Sequence, residues 1–136
     1  MAKSVLNSCA AILLVKDVSA SAKHYEEKVG FRVTGLFGEP PSFCILNRDG
    51  CGLMLKQAED PKHVVPHWTV SPKLSNVYFW VSDADALFEE VKARGAQIDY
   101  GPCDQPYGCR EFGIQDLDGY DISFGQVMRA SDSVSR

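Results

Sequence analysis

One half of this sequence repeats the other. With Asp17 laid on Asp83, "AAILLVKD" (residues 10–17) falls on "NVYFWVSD" (residues 76–83) without a gap. Each is a strand-length apolar run closed by an Asp suited to cap the helix that follows. Val18, Ala22, Tyr25 and Val29 then recur at helical spacing, as do Ala84, Leu87, Phe88 and Val91, so each copy continues into a helix with one apolar stripe. Gly30 and Gly95 stand where a helix takes a left-handed residue after its last turn. Further on, "FCILNRDGCGLML" (43–55) lies over "FGIQDLDGYDISF" (112–124). Both carry an Asp-Gly pair between short apolar runs, a hairpin signal. Each copy therefore reads strand, helix, strand, strand, strand. The pattern predicts an α+β chain of two βαβββ modules, at about 8–57 and 74–126. A proline-rich linker at about 58–73 joins them, and a polar tail, 127–136, follows.

Strand alternation sorts the repeated strands into two faces. Cys9, Ala11, Leu13 and Val15, with Val77, Phe79 and Val81, form all-apolar sets expected under the helices. The opposite face carries Ala10, Ile12 and Leu14 in the first copy, and Asn76, Tyr78 and Trp80 in the second. On the last strand of each module it carries Gly52, Met54 and Lys56, or Asp121, Ser123 and Gly125. Curved mixed sheets would present that second face to a cleft.

Composition narrows the function. At 136 residues and a net charge of −4 the chain is one domain's worth of globular sequence with no basic stripe, so nucleic acid is not an expected partner. No apolar run reaches the roughly 20 residues of a membrane span. Five cysteines, an odd number without C-x-x-C spacing, argue against a disulfide framework and for the cytoplasm. Cys109 beside Arg110 is the one candidate for a reactive thiol. His63 and His67 have i, i+4 spacing, but Pro61 and Pro66 interrupt any helix there. His24 falls off the apolar stripe and is expected at the surface.

The duplicated module and the segment "PYGCREFGIQDLDGYDISFG" (106–125) resemble the glyoxalase/bleomycin resistance protein/dioxygenase superfamily, the vicinal oxygen chelate proteins, and in particular its bleomycin resistance branch. The resemblance implies a cleft that binds a small molecule and a homodimeric assembly. Its metal-using members carry four His, Gln or Glu ligands on the cleft face. The matching positions here are Ala10, Met54, Asn76 and Ser123, which offer neither imidazole nor carboxylate. The expectation is thus a binding protein with no catalytic residue, metal or cofactor, acting by sequestering a drug or metabolite. The alternative is a metal-dependent lyase, isomerase or dioxygenase with unusual ligands. Met54, Asn76, Tyr78, Trp80, Tyr107, Arg110, Phe112 and Ser123 are the expected ligand-binding residues. Trp68 is expected to pack the linker or to close over the cleft.

Overall fold

The computed structural model describes residues 3–128, and the chain divides into two compact units on either side of the Val64–Val65 link. The first unit holds β1 (Ala10–Val15), α1 (Val18–Val29), β2 (Arg32–Phe37), β3 (Phe43–Arg48) and β4 (Cys51–Gln57). The second holds β5 (Val77–Trp80), α2 (Ala84–Ala93), β6 (Gln97–Gln105), β7 (Cys109–Gln115) and β8 (Asp121–Val127). The sheet orders are β1-β4-β3-β2 and β5-β8-β7-β6. In each, the first strand pairs in parallel with the last and the other neighbours are antiparallel. These are the two βαβββ modules that the repeat predicts. The sequence reading ends the second module at 126, but β8 runs on to Val127; the expected tail from 129 onward lies outside the described residues.

Local chemistry starts and stops the helices as the repeat requires. Asp17 accepts from the Ala20 N–H at 3.1 Å and Asp83 from the Ala86 N–H at 3.0 Å, which satisfies a backbone donor that a first turn leaves open. Gly30 and Gly95 take positive φ at the far ends. The two Asp-Gly turns differ. Asp49 and Gly50, both at positive φ, close a two-residue hairpin between Arg48 and Cys51. Asp118 and Gly119 lie in a five-residue loop organised by buried Asp116, whose Oδ1 accepts from the Asp118 and Tyr120 N–H groups.

One face of each sheet is closed by its helix. In the first unit Leu13, Val15, Leu46, Leu53 and Leu55 are buried with Val18, Ala22, Tyr25 and Val29 of α1. In the second, Phe112 is fully buried, stacked on Phe124 at 4.9 Å and edge-on to Phe88 of α2 at 5.5 Å. Phe112 therefore packs in the core, although the sequence reading counts it among the ligand-binding residues. Arg110, two residues earlier on the same face, pairs with Asp85 of α2 and Asp104 of β6 at 3.0 and 3.2 Å. Cys109 is buried, and Arg110 points to the other face of β7, so the thiol has neither the exposure nor the neighbouring cation a reactive cysteine needs. His24 is half-buried and edge-on to Tyr25 at 5.6 Å rather than a plain surface residue.

The linker is ordered by contacts within the second unit, among them the His67 ring Nδ1 at 3.3 Å from the Ser75 carbonyl. Trp68 Nε1 donates to the Gly119 carbonyl at 2.6 Å, and the His67 backbone N–H donates to Asn76 Oδ1 at 2.8 Å. His63 and His67 lie in separate short 3-10 turns, Pro61–His63 and His67–Thr69. Among the described residues no helix is long and apolar enough to cross a membrane.

Candidate functional site in the second module

The helix-free face of the second sheet is built in cross-strand rows. Tyr78, Ser123, Gly113 and Tyr100 lie side by side across β5, β8, β7 and β6. The next row is Trp80, Gly125, Glu111 and Cys103. Two register shifts in β6, either side of Tyr100, bend that strand. Over this face lies a cleft of about 730 Å³, a volume suited to a small organic ligand.

The centre of the cleft wall is Glu111, 5 % exposed. Four side chains donate to its carboxylate. Tyr78 and Tyr107 reach Oε1, the former at 2.8 Å, while Tyr100 and, at 3.3 Å, Gln105 reach Oε2. Two glycines make this possible. A Cβ on Gly113 would stand 3.0 Å from Tyr100 Cδ1, and one on Gly125 would stand 2.5 Å from Tyr78 Cζ. Both rings thus lie flat across bare backbone to reach Glu111, a use that explains glycine inside two central strands. Ser75 and Ser123 share a hydrogen bond, and the Ser123 hydroxyl lies 3.3 Å from that of Tyr100.

The electrostatics follow from this geometry. Burial, donation to Glu111 and the Glu111 charge, in that order, push the Tyr78 hydroxyl far above the ordinary phenol range. Tyr107 rises for the same reasons. Tyr100 rises chiefly through burial and its bond to Glu111, with the Ser123 contact opposing. All three are phenols at neutral pH, not phenolate bases. Asp99, which also lines the cleft, has its carboxyl pKa raised by burial and by the nearby Asp121 carboxylate.

The structure brings together three of the eight residues expected from sequence: Tyr78, Tyr107 and Ser123 line the cleft. Asn76 turns to the linker, its Oδ1 held by His67. Trp80 is 62 % exposed, its ring 4.8 Å from that of Tyr78. The backbone of its cross-strand neighbour Gly125 is already covered by Tyr78, which leaves the larger ring at the sheet edge. Arg110 and Phe112 face α2. Met54 is a half-buried residue of β4 in the first unit. Tyr100, Gln105, Ser75, Lys73, Leu74 and Asp99 line the cleft and were missed by sequence reasoning, which weighed Glu111 only beside Arg110 as an anchor at the cleft mouth. Alternation would have found Glu111, because its neighbour Phe112 is in step with Ile114 and so claims the helix side.

A sequence profile of the glyoxalase/bleomycin resistance protein/dioxygenase superfamily matches residues 5–124, nearly the whole chain. The chain belongs to that superfamily. No curated protein sequence matches it. Among solved structures of the superfamily's fold, the bleomycin-binding protein from bleomycin-producing Streptomyces verticillus, complexed with copper(II)-bleomycin, is 28% identical. Its TM-score is 0.63, with 91% of this chain and 97% of that chain covered. TnmS3, an antibiotic binding protein from Streptomyces sp. CB03234, is 24% identical with TM-score 0.66, covering 93% of this chain and 98% of that one. A glyoxalase-related enzyme from Clostridium phytofermentans is 20% identical with TM-score 0.71, covering 92% and 98%.

For the metal-using members of the superfamily the resemblance implies four ligand positions, and the residues at those positions here do not fit a divalent metal. Asn76 Oδ1 is engaged by a backbone N–H, and Ser123 is tied to Ser75 and Tyr100. Ala10 and Met54 supply no nitrogen or oxygen ligand. Among the described residues no three His, Cys, Asp or Glu side chains form a group able to hold a metal ion.

Proposed function

We propose that this protein binds a drug-like or metabolite molecule in the cleft of its second module and acts by sequestering it, without a catalytic metal. The observation that carries the reading is the Glu111 cluster. Three phenols and an amide converge on one buried carboxylate in a cleft of about 730 Å³. They form a rigid polar wall with aromatic surface beside it, the mix that small-molecule sites use. The likeness to a bleomycin-binding protein at 28% identity supports binding over catalysis. The family's metal-dependent lyase, isomerase and dioxygenase chemistry would need ligands that Ala10, Met54, Asn76 and Ser123 do not provide.

The protein is proposed to work as a cytoplasmic homodimer. Ile12 and Leu14, on the helix-free side of β1, are 66 % and 39 % exposed, an apolar strip that a second copy would cover. Light scattering at micromolar concentration should give twice the chain mass, and a monomer at every concentration would remove the dimer. The binding reading is tested by a melting-temperature screen against antibiotics, copper(II)-bleomycin among them, since a ligand of the folded state raises the melting point. A ligand that stabilises the wild type but not a Tyr78→Ala variant supports the reading. Stabilisation unaffected by Tyr78→Ala places binding elsewhere.

A further inference from the structure

The proton inventory of the cleft says what kind of ligand it takes. A phenol has one proton, and those of Tyr78, Tyr100 and Tyr107 are all given to Glu111. Their oxygens can only accept from anything placed against them. The Tyr100 hydroxyl has a second, longer contact with Ser123 Oγ at 3.3 Å, and Ser75 and Ser123 share a hydrogen bond beside it. Gln105 directs its amide nitrogen at Glu111 and, at 3.6 Å, at Cys103 Sγ. The three phenols are thus donors toward Glu111 and acceptors toward a ligand.

The charges point the same way. Three carboxylates, Asp99, Glu111 and Asp121, line the cleft against one ammonium, Lys73. Asp121 takes one donor, Gln115 Nε2 at 2.9 Å. Burial first, and then the neighbouring Asp121 carboxylate, raise the Asp99 carboxyl pKa. Arg110, adjacent to Glu111 in sequence, is committed to Asp85 and Asp104 on the opposite face. It brings no positive charge to the cleft side.

Resting on the binding function proposed above, we infer that the cleft selects organic cations rich in N–H donors: a protonated amine, amidinium or guanidinium carried on a flat ring. The tyrosine rings supply the surface on which such a ring packs, and phenol faces attract cations in their own right. Anionic ligands meet three carboxylates and a wall of acceptors, so the same chemistry rejects them.

Three probes of one shape separate charge from fit: benzamidine, benzamide and benzoate, titrated into the full-length protein and followed by ligand-observed and amide NMR. Benzamidine should bind at least about tenfold more tightly than benzamide, and benzoate should not bind. Asp121→Asn should weaken benzamidine by about fivefold or more with little effect on benzamide. Asp49→Asn, the same charge change in a turn of the first module that tolerates Asn-Gly, should change neither. Benzamide or benzoate binding as well as benzamidine overturns the inference while leaving the cleft a binding site. Benzamidine that fails to bind at millimolar concentration, or that shifts amides away from Tyr78, Tyr100 and Glu111, also overturns it.

Discussion

Glu111→Gln is the sharpest perturbation of the cleft. The amide keeps the shape of the carboxylate but turns one acceptor oxygen into a donor nitrogen. Wild-type Glu111 takes two donors on each oxygen, so whichever way the amide is placed, two donors face its nitrogen. A hydrogen bond to a charged group contributes about 1.5–3 kcal/mol. Two are lost, and part of the loss is recovered because Tyr107, 60 % exposed, can turn its hydroxyl to water. Losing the buried charge offsets a further part. The net expectation is about 2–3 kcal/mol of destabilisation, or roughly 6–12 °C in melting temperature for a chain of this size. The phenols give a second readout. In the wild type Tyr78, Tyr100 and Tyr107 are raised above the usual phenol pKa, and burial with help from Asp118 and Asp116 raises Tyr120 to about 12. A phenol that holds its proton more tightly when folded contributes stability below the unfolded pKa of about 10 and loses it as pH rises beyond that. Wild-type stability should therefore fall as pH climbs above about 10, with little phenolate absorbance at that pH. In Glu111→Gln the three cleft phenols lose the carboxylate and should ionise earlier, so phenolate absorbance near pH 10 rises. A variant that melts within about 2 °C of wild type and titrates identically would refute the cluster as described.

Four further outcomes follow from the same packing. Gly125→Ala should eject Tyr78 from its bond with Glu111 and cost about 1–3 kcal/mol, read by urea unfolding and by the loss of one raised phenol in the titration. Phe112→Ala should cost about 3–5 kcal/mol as a core cavity. Arg110→Ala, whose ion pairs are partly exposed, should cost less than about 1 kcal/mol and leave ligand binding unchanged. Asn76→Ala should free the His67 N–H and speed proteolysis of the linker at 58–73 without unfolding either sheet; an unchanged cleavage rate would show that the Trp68–Gly119 bond and the His67 ring's contact with Ser75 suffice to anchor that segment.

The fold was legible in the sequence because the repeat encodes it at several levels at once. Asp17 and Asp83 cap, Gly30 and Gly95 terminate, and the stripe from Val18 to Val29 buries as spaced. The site was legible only where strands stay regular. Tyr78 and Ser123 follow from alternation in β5 and β8. Arg110 and Phe112, within the segment that carries the family resemblance, were expected at the cleft, although alternation in β7 gives the cleft face to Glu111. Tyr100 sits between two register shifts in β6, where period-two reasoning fails. The glycines at 113 and 125 carried the missing signal: bare backbone in central strands marks a place where something crosses closely. Here it is Tyr100 and Tyr78.

The central claim is that the second module's cleft, with Glu111 at its wall, holds a small molecule. Amide chemical-shift mapping of the full-length protein with its strongest ligand from the antibiotic screen tests this most directly. Saturable shifts are expected at Ser75, Tyr78, Tyr100, Tyr107, Glu111 and Ser123, lost in Glu111→Gln. Saturable shifts confined to residues outside that cleft, or unchanged in Glu111→Gln, would contradict it.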